Sequence, residues 1–197
     1  MKFSFGQAME MIYKSEGRLK AMGQAQVFME EQNKLPQLKI KLAEGATMPT
    51  KGTKPSDTGY DLTVTSVRYD EEYGFLEYGT GVFMEIPVGY EVKVYPRSSM
   101  SKYDVFQCNH VALIDESYRK EIFIRHKTTF DFDVATFENG VLKCWRDDTP
   151  HLFAYPTIYK VGDKIAQFEM KKKDPYELIQ VDNVEDTGRD AFGSSGN

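Results

Sequence analysis

Residues 109–121 read NHVALIDESYRKE. The stretch opens on a polar side chain, Asn109. It continues through the apolar run Val111, Ala112, Leu113 and Ile114, then turns acidic at Asp115 and Glu116 before Ser117 and Tyr118. The apolar run predicts the end of a buried strand. A carboxylate directly after such a strand can be held where it orients and deprotonates a water; the plain alternative is a strand followed by an acidic turn. Similar short runs, separated by turn residues, lie on both sides: 60–69, 75–78, 82–86, 90–95 and 103–107 before it, and 121–125 after it. Many short strands without βαβ alternation predict an all-β barrel or jelly roll.

Further out the texture changes. Leu38, Ile40 and Leu42 alternate with Lys39 and Lys41, which predicts a strand. Upstream, Ala8, Met9, Met11, Ile12, Leu19, Met22, Val27, Phe28 and Met29 recur near helical spacing over 5–32, so residues 1–34 read as an N-terminal helical extension. Residues 35–197 read as one β domain carrying an insertion at 126–158. Asn139-Gly140 between VATFE and VLKCW is a hairpin signal there. Trp145, Phe153, Tyr155 and Tyr159 predict a small core belonging to that piece. KKKDP at 171–175 reads as a charged turn, and residues 185–197 read as a C-terminal arm with little capacity to pack.

The composition narrows the function. With 197 residues the chain is long enough for a substantial core. A net charge of −5 argues against nucleic acid as the main partner. Cys108 and Cys144 have no metal-ligand spacing and predict a reduced, cytoplasmic protein. No run approaches a membrane span, and the N-terminal residues lack the basic-then-apolar order expected of a signal peptide.

Four other stretches bear on chemistry. ATMPTKGTKPSDTGYDL (46–62) ends in Asp61-Leu62, and Asp61 is a carboxylate able to hold metal-bound waters or brace a basic residue. Pro96-Arg97-Ser98-Ser99 follows a strand and combines a forked cation with small donors suited to phosphate oxygens; an ordinary polar turn is the alternative. Gly162-Asp163-Lys164-Ile165-Ala166-Gln167 is a turn entering a strand, with Gln167 able to offer an amide to a phosphate. Phe192-Gly193-Ser194-Ser195-Gly196 suits a flap that stacks an aromatic on a base, or a plain glycine-serine tail.

Taken in order, these five stretches resemble the five motifs of the trimeric deoxyuridine triphosphatase (dUTPase) family, in its phage and bacterial form. The resemblance covers roughly 36–125 and 158–197. It implies a distorted jelly roll, a homotrimer whose sites draw on more than one subunit, and Mg²⁺-dependent hydrolysis of dUTP to dUMP and pyrophosphate. That reaction lowers dUTP and supplies dUMP for thymidylate synthesis. Asp115 falls where the family keeps the water-activating base, and Tyr118 where an aromatic packs under deoxyribose. Asn109 and the backbone around Ala112, Leu113 and Ile114 fall where uracil is read. Arg97, Ser98, Ser99 and Gln167 fall on phosphate-contacting positions, and Asp61 on a carboxylate that supports Mg²⁺ through its bound water. Phe192, Gly193 and Ser194 fall on the arm that closes the site.

The chain also departs from the family pattern. Ala112 and Lys120 stand where glycines are usual, and Asp190-Ala191 replaces two more. Arg189, the candidate phosphate clamp of the arm, is two places from the usual arginine. dCTP deaminase, which shares the fold and the Arg-Ser-Ser turn, is the nearest rival. Its pattern expects a Glu ten residues after the motif-three Asp and an Arg three residues after the second Ser, where this chain has Arg125 and Lys102. The extra segments add a third reading, a dUTPase that also binds a regulatory protein through 126–158 or the N-terminal helix.

Overall fold

The computed structural model describes residues 35–186, together with residues 14, 15, 17, 18 and 20. The helical extension expected over 1–34 lies almost wholly outside the described residues. So do Arg189, Phe192, Gly193 and Ser194 of the expected arm. In order come β1 (Lys39–Leu42), β2 (Thr50–Lys51), β3 (Tyr60–Thr63), β4 (Ser66–Asp70), β5 (Phe75–Glu85) and β6 (Tyr90–Pro96). A 3₁₀ turn, η1 (Ser98–Lys102), leads to β7 (Val105–Gln107), β8 (Ala112–Ile114) and β9 (Glu121–Thr128). Then follow β10 (Val134–Glu138), β11 (Val141–Trp145), β12 (Phe153–Ala154) and β13 (Lys164–Lys172).

One five-stranded sheet has the order β1-β5-β9-β7, with β4 also on β5. A second has the order β2-β3-β13-β6-β8. Every pairing is antiparallel. The all-β expectation therefore holds. Alternation explains it: Ile122, Ile124 and His126 of β9 turn inward, while Phe123 and Arg125 turn out. Val92 and Val94 of β6, Leu62 of β3 and Phe168 of β13 complete the core from the facing sheet. Truncating a core residue such as Ile124 to Ala costs about 2–5 kcal/mol, because the cavity adds to the lost transfer energy.

Two strand boundaries differ from the sequence expectation. The runs at 75–78 and 82–86 form one strand, β5. Its Gly79-Thr80-Gly81 is a kink: Gly81 has φ +64, and a Cβ there would come within 2.5 Å of the Ala46 Cβ. The ladder to β9 shifts register between Gly79 and Phe83 and then continues. The run at 60–69 instead divides into β3 and β4, because the chain crosses between sheets at the buried Val64.

The hairpin forms as expected at Asn139-Gly140, both residues in the left-handed region (φ 51 and 77). It belongs to a separate three-stranded sheet, β10-β11-β12. The excursion begins later than residue 126. His126 is fully buried on β9, its ring edge-on to Tyr78 at 5.3 Å, and the β9 pairing runs on to Thr128. Asp104 ties the two ends together: its carbonyl accepts from Thr129 N, its own N–H donates to the Thr157 carbonyl, and its Oδ2 accepts from Thr157 N at 2.7 Å. The small independent core expected from Trp145, Phe153, Tyr155 and Tyr159 does not form. Trp145 pairs edge-on with Phe153, Tyr155 is exposed, and Tyr159 stacks on Tyr103 within the barrel. Leu142 and Cys144 of β11 also join the barrel core. Both cysteines are free. The KKKDP turn starts later than expected, since Lys171 and Lys172 still pair with Glu91 and Tyr90 on β6.

Candidate active site

Asp61, Gln167 and Tyr95 stand side by side on β3, β13 and β6. Residues paired across strands share a face, so their side chains emerge together. Asp61 is only 8% exposed and carries two cations: Arg97 Nε at 2.8 Å from Oδ1 and Lys164 Nζ at 2.8 Å from Oδ2. Lys164 reaches it from beside an irregularity in β13, where the register shifts between Lys164 and Ala166. Arg97 Nη1 also donates to the Lys164 carbonyl and to Ser99 Oγ, both at 3.3 Å. The guanidinium thus sits in a fixed orientation beside the serines of η1. The third residue of the platform, Gln167, fits because Gly59 lies against it; a Cβ on Gly59 would meet Gln167 Oε1 at 2.8 Å. The resulting group has two cations, one carboxylate and several neutral donors, a set suited to phosphate oxygens.

The second cluster lies on the hairpin after β7. Cys108, Asn109, Ile114, Tyr118, Phe123 and Arg125 line a cleft of about 400 Å³, within the range of small-molecule sites. Tyr118 is fixed at both ends: its N–H donates to the Asp115 carbonyl at 3.0 Å and its hydroxyl to the Glu121 carbonyl at 2.9 Å. Glu116 fastens the same turn to the body by accepting from Gly89 N at 3.1 Å and Lys173 Nζ at 2.7 Å. The Lys173 contact, with the Gly89 bond behind it, holds the Glu116 carboxyl below its usual range. Arg119 Nη1 donates to the Glu116 and Tyr118 carbonyls.

The run Val111–Ile114 is not the buried strand end expected. It contributes β8, the edge strand of its sheet, and Leu113 is 56% exposed. Asp115 is exposed just beyond that edge. Ala112 and Ile114 are half-buried and pair with Val94 and Val92 of β6. Periodicity alone does not distinguish an edge strand from a central one, which is why the apolar run reads as buried.

No family model matches the chain. The chain is 37% identical over 118 residues to the SPbeta prophage-derived deoxyuridine 5′-triphosphate nucleotidohydrolase of Bacillus subtilis (strain 168). The match covers 59% of this chain and 68% of that protein. This chain belongs to the dUTPase family. Among solved structures, the dUTPase of Staphylococcus bacteriophage 80alpha with dUPNHPP is 26% identical with a TM-score of 0.57, covering 81% of this chain and 98% of that one. A variant dUTPase from phage phi11 of S. aureus, which coordinates a structural Mg(II) ion, shares the fold at a TM-score of 0.51 and 24% identity, covering 75% of this chain and 97% of that one.

For a dUTPase-family member, the structure adds residues that sequence reading passes over. Lys164 is the second cation on Asp61, 103 positions away along the chain, and no local pattern joins the two. The buried Gln107 supports the hairpin; its signal is a polar residue at the inward end of β7. At the position where a deaminase would keep its Glu, Arg125 is ion-paired to Glu77 at 2.8 Å. Burial would raise the Glu77 pKa, but hydrogen bonds from Arg68 and Arg125 outweigh it and hold the carboxyl low. Among the described residues no group of three or more His, Cys, Asp and Glu is placed to hold a metal ion. Asp61 is occupied by its two cations. The residues therefore fit an ion carried on a triphosphate better than one caged by protein. Among the described residues no helix is long and apolar enough to cross a membrane.

Proposed function

We propose that this chain hydrolyses dUTP to dUMP and pyrophosphate with Mg²⁺, within the cytoplasmic nucleotide pool. The observation that carries the reading is one fold holding both a nucleoside-sized cleft on the Asn109–Tyr118 hairpin and the Arg97–Lys164 pair on Asp61. In this reading the hairpin reads uracil through Asn109 and the backbone of Ala112, Leu113 and Ile114. The Tyr118 ring packs under the deoxyribose and leaves no room for a 2′-hydroxyl. Asp115 orients a water for in-line attack and takes its proton. Arg97, Ser98, Ser99 and Gln167 hold phosphate oxygens, while Asp61 keeps Arg97 in place. Mg²⁺ would supply charge neutralisation on the phosphates when bound, beside Asp61, Arg97 and Lys164. Phe192, Gly193 and Ser194 close over the nucleotide, with Arg189 as the arm's candidate cation.

The same geometry supports assembly as a homotrimer with sites shared between subunits. β8 is antiparallel to β6, with Ile114 opposite Val92, and it runs away from Arg97. Arg97 is five residues further along the chain than Val92, about 17 Å at roughly 3.3 Å per residue. That spacing favours sites in which Asp115 of one subunit works with Arg97 of another. The exposed apolar edge at Val111 and Leu113, and the segment holding Tyr176, Leu178 and Ile179, supply surface for such contacts. A second reading, an added protein-binding role for the inserted sheet, is favoured by the exposed Val141, Leu152, Phe153 and Tyr155.

Incubation with each dNTP and Mg²⁺ tests the proposal. Pyrophosphate and dUMP from dUTP are expected; ammonia from dCTP would overturn it in favour of deamination. Light scattering should give about three times the 22.6 kDa chain mass, and a monomer at micromolar concentration would overturn the shared-site reading.

A further inference from the structure

We propose that Gln107 sets the polarity of the Asn109 amide and thereby the preference for uracil over cytosine. The proposal rests on the reading of Asn109 as a base-contacting residue. Gln107 is the last residue of β7 and is 1% exposed, while Asn109 is exposed and lines the cleft. Gln107 Nε2 donates to the His110 carbonyl at 3.1 Å and to Asn109 Oδ1 at 3.4 Å. His110, at φ 45, returns the contact: its N–H donates to the Gln107 carbonyl at 3.2 Å. The turn is therefore closed against Gln107 from both directions.

The orientation of each amide follows from what a carbonyl can do. The His110 carbonyl only accepts, so the end of Gln107 facing it must be the amino group. The reverse orientation would set two acceptors face to face in a buried place, a costly arrangement. The same Nε2 contacts Asn109, so the Asn109 end facing inward must be its acceptor, Oδ1. The Nδ2 hydrogens are left for the cleft. Uracil offers an acceptor at O4, and cytosine offers an amino donor at the equivalent position. A donor presented by Asn109 pairs with the first and leaves two donors opposed with the second, a mismatch that binding sites penalise strongly. The backbone carbonyl of His110 is thus the fixed reference, Gln107 transmits it, and Asn109 displays it.

Gln107 acts through Asn109, so the readout is a specificity ratio that simple loss of stability would not move. The measurements are kcat/KM for dUTP and dCTP, and calorimetric binding of dUMP and dCMP, on the full chain. Gln107→Leu preserves volume and removes the donor. It should raise KM for dUTP by ~10-fold, leave kcat within ~3-fold, and lower the dUTP/dCTP ratio by ~10-fold. In an Asn109→Ala background the same substitution should change the ratio by less than ~2-fold. A folded Gln107→Leu variant with an unchanged ratio would overturn the proposal. If Gln107→Leu does not fold, Gln107→Met, unbranched and equally without a donor, decides: the dUTP/dCTP ratio should again fall by ~10-fold, and an unchanged ratio again overturns the proposal. Should the wild-type chain turn over no dUTP, the function proposed above falls by itself. The dUMP/dCMP binding ratio in these variants then still decides the role of Gln107.

Discussion

The hairpin and the cation platform hold their candidate site side chains by different means. The platform sits on β3, β6 and β13, three neighbouring strands within one sheet, and its geometry comes from a nearly buried carboxylate gripping two cations. The hairpin sits at the sheet edge, and its geometry comes from backbone carbonyls, the Glu116 anchor and the buried Gln107. A pair of charges fixes position strongly but depends on both partners remaining present. A turn held by many neutral hydrogen bonds loses each one at a cost of about 1 kcal/mol. The platform should therefore fail abruptly on a single substitution, whereas the hairpin should lose selectivity by degrees.

The largest expected effect lies on the hairpin and is chemical. Asp115→Asn should lower kcat at least ~10²-fold while binding of a non-hydrolysable dUTP analogue stays nearly intact, since it removes only the base. Near-normal turnover would show that the water is activated elsewhere. Next comes the platform. Asp61→Asn should raise KM for dUTP by ~10–30-fold and lower stability by about 1–3 kcal/mol, as Arg97 and Lys164 lose their carboxylate. Retained KM and an unchanged denaturant midpoint would mean the serines of η1, not Asp61, orient Arg97. Smaller again is sugar selection: Tyr118→Ala should lower the dUTP/UTP preference by ~10-fold, and a constant ratio would place that selection outside the hairpin.

The last effect is confined to stability. His126 lies opposite Gln107 across β7 and β9, and burial lowers its pKa to about 4 from 6.5. The unfolded chain takes up a proton that the folded chain refuses between those values. Stability from a neutral His126 is thus complete above pH 6.5 and is lost as pH falls toward 4, by up to about 3 kcal/mol. His126→Phe should flatten that part of the curve, measured by urea unfolding at about pH 7, above the window, and at about pH 4.5, near its lower end, with kcat at neutral pH unchanged. An identical pH dependence in both proteins would remove His126 from the account.

These contrasts also explain what the sequence makes legible. Alternation in Leu38–Leu42 and in β9 marks strands, because one face of each meets the core. The order of the polar motifs resembles that of the dUTPase family, and the resemblance, rather than any one local pattern, singles out Asp115, Tyr118, Arg97 and Gln167 as candidates. The Lys164–Asp61 contact does not show, since tertiary pairing creates it. Leu113 reads as buried because its neighbours in sequence do not reveal that β8 lacks a strand on its far side. His126 and Tyr159 fall in or beside the expected insertion, yet their rings pack together inside the barrel at 5.5 Å.

Asp104 makes the inserted sheet modular in path but not in packing. By holding Thr129 and Thr157 at one point, it confines the excursion to a closed bight whose length the barrel strands do not feel. A short splice across that bight preserves the route of the chain from β9 to β13. It also strips Leu142 and Cys144 from the core they cover. Grafting another sequence there therefore requires matching two inward side chains of β11, while the outward face is free to vary.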